Sequence, residues 1–244
     1  MTAPGILYGV GVGPGDPELM TLKARRVIAA ADVVAHFAKR GRRGIARGIA
    51  DRLLGPSPRE LCLTYPMTDE VPVEDPAYAA GIGAFYEDAA AAVAGALAAG
   101  DSVAVLCEGD PFLYGSYMHL HRRLAGRFPT EVVPGVPGMA GAWSRASLPM
   151  AWGDDGLVVL PGTLAEAVLA ERLAAAEAAV VMKLGGNLPK VRRALVQAGL
   201  AERAVYVERA CMTGERVVPL ADLPAAHAAP YFALILVPGL GRRL

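Results

Sequence analysis

Aromatic residues are scarce, at 6% of 244 residues, which leaves little material for stacking nucleobases. Net charge is absent as well: 24 Lys and Arg balance 24 Asp and Glu, so no overall basic field marks a dedicated nucleic-acid binder. Cysteine is rare. Cys62, Cys107 and Cys211 are odd in number, far apart and outside any CxxC pair, which argues against a disulfide framework or a zinc site and for three small buried hydrophobes. The first residues carry no basic n-region, and the apolar run that follows is broken by glycines. Neither a signal peptide nor a membrane span is expected, and a cytoplasmic protein is.

Two nucleotide motifs are missing too. G-x-G-x-x-G begun at Gly9 meets Pro14, and begun at Gly11 it meets Asp16, while no G-x-x-x-x-G-K-[ST] occurs anywhere. The opening loop is also unsuited to pyrophosphate, because Pro17 removes an N–H donor and Asp16 and Glu18 add negative charge. A nicotinamide-dependent oxidoreductase is therefore disfavoured.

What is present is a charge-balanced chain of globular composition, with 54% hydrophobic and 20% charged residues, long enough for one large or two small domains. Strands are expected at 6–12, 32–36, 61–64, 103–107 and 130–133, with helices at 17–31, 46–54, 75–99 and 111–127 between them, which is the alternation of a parallel sheet covered by helices. Residues 55–76 hold five prolines and read as largely irregular. From Gly156 the pattern restarts: strands at 157–160, 179–184, 204–208, 215–219 and 232–237, helices at 163–174 and 188–198. The closely spaced last strands point to a mixed sheet. Glycine, proline and small residues concentrate at 134–155, and the boundary is placed there, dividing an N-terminal α/β domain, 1–135, from a C-terminal one, 136–244.

Two turns share one design, Gly15-Asp16-Pro17-Glu18-Leu19 and Gly109-Asp110-Pro111-Phe112-Leu113. In each, an apolar strand ends, glycine permits a sharp turn, aspartate can cap a helix and proline occupies its first position. Each turn alone is explained by a capped helix. Together, at the carboxyl ends of parallel strands where α/β proteins bind ligands, they mark a shared site. A third feature lies at the same edge: Lys39, Arg40, Arg42, Arg43 and Arg47, in "FAKRGRRGIAR", form a basic cluster without an intervening acid. It reads either as a solvated loop or as a receptor for carboxylates, which arginine grips bidentately.

"VGVGPGDPELMTLKA" at 10–24, "CEGDPFLYGS" at 107–116, "VVPGV" at 132–136, "MKLG" at 182–185 and "VYVERA" at 205–210 resemble, in order, the motifs of the tetrapyrrole methylases. Within that family, the long first motif, the basic loop, "CEGDPFLYGSYMHLHRRL" and "VMKLGGNLPKVRRAL" look most like the members that methylate precorrin-2 at C20. The resemblance implies two α/β domains, a homodimer, S-adenosylmethionine as methyl donor in the cleft between the domains, and a polycarboxylate tetrapyrrole as substrate; no metal is expected in the transfer, and composition points to no nucleic-acid or membrane partner. Cobalt-precorrin-2 and uroporphyrinogen III are alternative substrates. A non-catalytic tetrapyrrole or RNA binder is the alternative of another class.

Carried over by motif position, Pro14, Glu108, Gly109, Asp110, Leu113, Pro137, Gly138, Leu184, Ala210, Ala233 and Leu234 would line the donor pocket, largely through backbone. Many relatives place a small hydroxyl residue after "PGV" where this chain has Pro137-Gly138, so a backbone contact is expected there. The five basic residues and Arg145 would receive substrate carboxylates, although Arg145 equally suits a structural ion pair. Methylation at C20 requires loss of a proton, for which His36 or Tyr114 is a candidate base. Surface or packing roles are expected for His119, His121 and His227.

Overall fold

A computed structural model describes residues 3–51, 59–66 and 76–241. The chain forms two compact units, Met1–Gly138 and Met139–Leu244. The first contains β1 (Leu7–Gly11), α1 (Leu22–Ala30), β2 (Val33–Lys39), α2 (Ile45–Ala50), β3 (Arg59–Tyr65), α3 (Pro76–Ala98), β4 (Val103–Cys107), α4 (Tyr117–Leu124) and β5 (Thr130–Val133). All its strand pairs are parallel, in the order β3-β2-β4-β1-β5. Alternation of side chains along the strands gives the sheet two apolar faces. Leu7, Ala35, Val103 and Val105 face α3 and α4, where Val93, Leu97, Leu120 and Leu124 close a core. On the other face α1 lies against β1 and α2 against β2 and β4.

The second unit contains β6 (Leu157–Pro161), α6 (Glu166–Ala174), β7 (Ala178–Met182), α7 (Leu188–Gln197), β8 (Val205–Glu208), β9 (Arg216–Pro219) and β10 (Ala233–Val237). Its sheet order is β6-β7-β10-β8-β9, with β6 and β7 parallel and the remaining pairs antiparallel. This is the expected mixed sheet. Leu169, Leu173, Val191 and Leu195 of α6 and α7 pack on one face. The other face is covered by α5 (Gly138–Arg145), through Ala142, Met139 and Trp143.

Three local expectations are corrected. The helix expected over 17–31 is a single 3-10 turn, Pro17–Leu19, followed by an extended Met20 and then α1. Asp16 and Thr21 each accept a first-turn amide, from Glu18 and Ala24 respectively, so two competing caps cut the helix in two. The helix expected from Pro111 starts only at Tyr117. Finally, α5 lies in the stretch expected to be a boundary, because Gly138-Met139-Ala140-Gly141-Ala142 resembles a linker in composition while Met139, Ala142 and Trp143 pack on the sheet. Most of 55–76, read as irregular, lies outside the described residues, as does the end of the helix expected over 46–54.

Candidate active site

In the first unit, the loops leaving β1, β4 and β5 close on one another. Val12 donates to the Cys107 carbonyl at 2.9 Å and Gly109 to the Gly13 carbonyl at 2.8 Å, joined as an isolated bridge beyond the strand ends. The contact is too close for side chains: a Cβ on Gly11 would stand 2.5 Å from the Gly109 oxygen and 2.6 Å from the Gly135 Cα. Gly13 and Gly109 take φ of 82° and 65°, a left-handed conformation suited to glycine. Asp110 completes the joint. Its Oδ1 accepts the Phe112 amide at 2.9 Å and its Oδ2 the Gly135 amide at 3.1 Å, so it straps the β4 loop to the β5 loop; the helix-cap role expected of it is corrected, since no helix starts there.

Pro14, Glu108, Gly109, Asp110, Leu113, Pro137 and Gly138 thus lie on three adjoining loops of one sheet edge. Pro14 is buried and Leu113, Pro137 and Gly138 are partly exposed. A Cβ on Gly138 would meet nothing within 4 Å. Open space therefore borders a backbone-lined rim. Tyr114, on the same loop, is held at φ 56° and is 39% exposed, a strained conformation for a bulky residue of the kind found at functional sites. The following Ser116 receives the Tyr86 hydroxyl at 3.2 Å and a shorter contact from Tyr65, an anchor that motif reading missed because its members come from three distant segments.

The second unit gathers its motif residues at one sheet edge as well. Ala233, the first residue of β10, pairs with Glu208, the last of β8, and β7 runs antiparallel on its other side. Leu184 is buried beyond β7, Ala233 and Leu234 are buried, and Ala210 is partly exposed. Lys183, Arg209 and Cys211 all have positive φ, at 57°, 50° and 62°. Glu215 fixes the β8 exit by accepting the Cys211 amide at 2.7 Å and Arg145 Nε at 2.8 and 2.9 Å.

The basic loop is less uniform than its sequence. Arg40 and Arg42 are exposed, and Lys39 is partly buried. Arg43 pairs with Asp51, and Arg47, 12% exposed, pairs with both Asp51 and Glu60. The hydrogen bond with Glu60 raises the Arg47 pKa, and the same bond from Arg47 lowers that of Glu60. His36 is only 4% exposed. Its Nε2 stands 3.7 Å from Glu60 Oε2, its Nδ1 has no well-formed hydrogen bond among the described residues, and burial lowers its pKa. A Cβ on Gly44 would come within 2.5 Å of that Nδ1, so the first turn of α2 roofs the imidazole. Of the other histidines, His119 stacks on Tyr86 with centroids 3.9 Å apart, His121 meets the Tyr117 hydroxyl at 3.3 Å, and His227 joins Tyr206 and Glu208 at 3.0 and 3.1 Å. Among the described residues, no group of three or more His, Cys, Asp or Glu is placed to hold a metal ion, and no helix is long and apolar enough to cross a membrane.

A parallel-sheet unit followed by a mixed-sheet unit, with glycine-joined loops at the strand ends, defines a class. The chain belongs to the tetrapyrrole (corrin/porphyrin) methylases, whose family profile matches residues 6–224. Among individual relatives, the precorrin-2 C(20)-methyltransferase of Sinorhizobium sp. is 57% identical over 235 residues, covering 96% of each chain. The cobalt-precorrin-2 C(20)-methyltransferase of Salmonella typhimurium is 32% identical over 237 residues, again 96% of each. The crystal structure of uroporphyrin-III C-methyl transferase from Thermus thermophilus in complex with S-adenosylhomocysteine matches with a TM-score of 0.68 at 25% identity, covering 95% of this chain and 97% of that one.

Proposed function

We propose that this chain transfers a methyl group from S-adenosylmethionine to C20 of precorrin-2. The observation that carries the reading is the 57% identity, over 96% of both chains, to a protein of that name; the cobalt-precorrin-2 counterpart stands at 32%. Bound, the donor would supply an electrophilic methyl on a sulfonium: a bond from the electron-rich meso carbon to that methyl would form as the methyl–sulfur bond breaks, with release of S-adenosylhomocysteine and loss of the C20 proton.

The protein's task in such a reaction is placement, and orientation alone is worth roughly 7–11 kcal/mol in favourable cases. The open rim beside Gly138 and the glycine backbone of the first unit's loops suit a donor held by peptide groups. We assign to donor binding Pro14, Gly109, Asp110, Leu113, Pro137 and Gly138 in the first unit and Leu184, Ala210, Ala233 and Leu234 in the second. Asp110 acts there by holding the β4 and β5 loops together. Lys39, Arg40 and Arg42 receive substrate carboxylates, whereas Arg43, Arg47 and Arg145, paired with Asp51, Glu60 and Glu215, brace their elements. Tyr114, exposed and strained on the donor loop, is the side chain assigned to the reacting face. His36, roofed by Gly44, is assigned to packing under α2. Assembly as a cytoplasmic homodimer belongs to the same reading, and the mass of the protein in solution checks the dimer.

The test is incubation with precorrin-2 and S-adenosylmethionine. One added methyl at C20 is expected. Methylation at another ring position would replace the substrate assignment, and faster turnover of cobalt-loaded substrate would move it to the cobalt branch.

A further inference from the structure

Ala46 poses a problem of helix chemistry. It lies in the first turn of α2, where backbone N–H groups lack partners within the helix and an N-cap side chain ordinarily supplies one. The N-cap is Gly44, which has no side chain to offer. Nor could another residue replace it readily, because a Cβ there would come within 2.5 Å of both His36 Nδ1 and the Phe37 carbonyl. The missing acceptor comes from 62 residues away: the Ala46 amide donates to Glu108 Oε1 at 3.0 Å.

The geometry of the sheet gives this bond its consequence. β2 and β4 are parallel neighbours, with His36 opposite Leu106. The chain leaves β2 toward β3 at one edge of the sheet and leaves β4 toward β5 on the opposite side. The exits of β2 and β4 therefore diverge, the arrangement at which α/β sheets bind ligands, and the Ala46–Glu108 hydrogen bond ties the two exits together. Residues 40–43, with the exposed Arg40 and Arg42, are suspended between the end of β2 and this capped turn. Burial raises the Glu108 pKa, opposed by amide hydrogen bonds that include the one from Ala46, so keeping a carboxylate here has a desolvation cost.

We infer that the Glu108 carboxylate is a positioning group for the substrate: by capping α2 from the donor loop, it sets the place of the 39–44 loop whose basic residues grip the tetrapyrrole carboxylates. The inference rests on the functional reading above and gives Glu108 a side-chain task other than the donor contact its motif position implied.

The test compares Glu108→Ala and Glu108→Gln with the unaltered protein by hydrogen exchange of residues 44–50, KM and kcat for precorrin-2, and the Kd of S-adenosylhomocysteine. Glu108→Ala is expected to speed exchange at 44–50 and to raise KM about tenfold or more, the scale of one hydrogen bond to a charged group, with Kd changed less than about twofold. Glu108→Gln, whose amide oxygen still accepts, is expected to restore slow exchange and most of KM. Loss of S-adenosylhomocysteine affinity with unchanged exchange would overturn the inference and make Glu108 a donor ligand; faster exchange with unchanged KM would overturn its link to substrate. Should Glu108→Ala fail to fold, Glu108→Asp, which keeps the charge and withdraws it by one methylene, carries the same expectations. If the unaltered protein methylates no tetrapyrrole, the functional reading fails, while exchange at 44–50 still reports whether Glu108 holds the loop.

Discussion

Gly135 shows at the scale of one residue why the motif loops carry so many glycines. A Cβ there would overlap the Gly109 carbonyl oxygen and crowd the Gly11 Cα at 2.8 Å and the Gly11 carbonyl carbon at 2.9 Å, and all three atoms belong to backbone that cannot swing aside. Gly135→Ala is expected to lower stability by about 1–3 kcal/mol, the usual cost of overpacking, measured by denaturant unfolding. Gly48→Ala, on a helix where a Cβ meets nothing within 4 Å, is the control and is expected to be neutral or slightly stabilising. A second residue-scale expectation concerns acid. Burial lowers the His36 pKa, so the unfolded chain binds the proton better than the fold does, and stability falls as pH drops below about 6.5, the usual histidine value. Glu60, whose pKa Arg47 lowers, adds stability above its unfolded pKa that is lost at still lower pH. Unfolding measured from pH 8 to 4 should therefore decline in two stages, with the first, to which His119 contributes through its own burial-lowered pKa, made smaller in His36→Gln; an unaltered first stage would show that His36 does not contribute.

At the scale of elements, the strands were read with little error because apolar runs between turn residues leave few choices. The helices of the site were harder. Asp16 and Asp110 look alike in sequence, yet one caps a 3-10 turn and the other straps two loops, a difference set by Gly135, which lies 25 positions from Asp110 along the chain. Glu60, which pairs with Arg47, is hidden for the same reason, because it enters from β3, whereas Asp51 lies in the local sequence of both Arg43 and Arg47. The small residues of α5 imitate a linker until the sheet they pack against is known. A prediction at this scale follows from the strap. Asp110→Ala releases the Gly135 amide and should weaken S-adenosylhomocysteine binding about tenfold, the range of a charge-assisted hydrogen bond, while calorimetric unfolding stays cooperative. Unchanged affinity in the folded variant would remove Asp110 from the donor site.

For the molecule as a whole, the alternation of strand and helix made a parallel first sheet legible, and the short links between the last strands made the second sheet mixed. The order β3-β2-β4-β1-β5 was not legible, since it depends on which strands the crossovers bring together. That order places the exits of β1, β4 and β5 side by side and gives meaning to motifs spread from residue 10 to residue 138. The proposed chemistry is methyl transfer to a single meso carbon. Its most direct test is incubation of the purified protein with precorrin-2 and S-adenosylmethionine carrying a carbon-13 methyl, read by mass spectrometry and carbon-13 NMR. One added labelled methyl bonded to C20 is expected, with S-adenosylhomocysteine formed in equal amount. A tetrapyrrole recovered without label, or labelled at a different carbon, would contradict it.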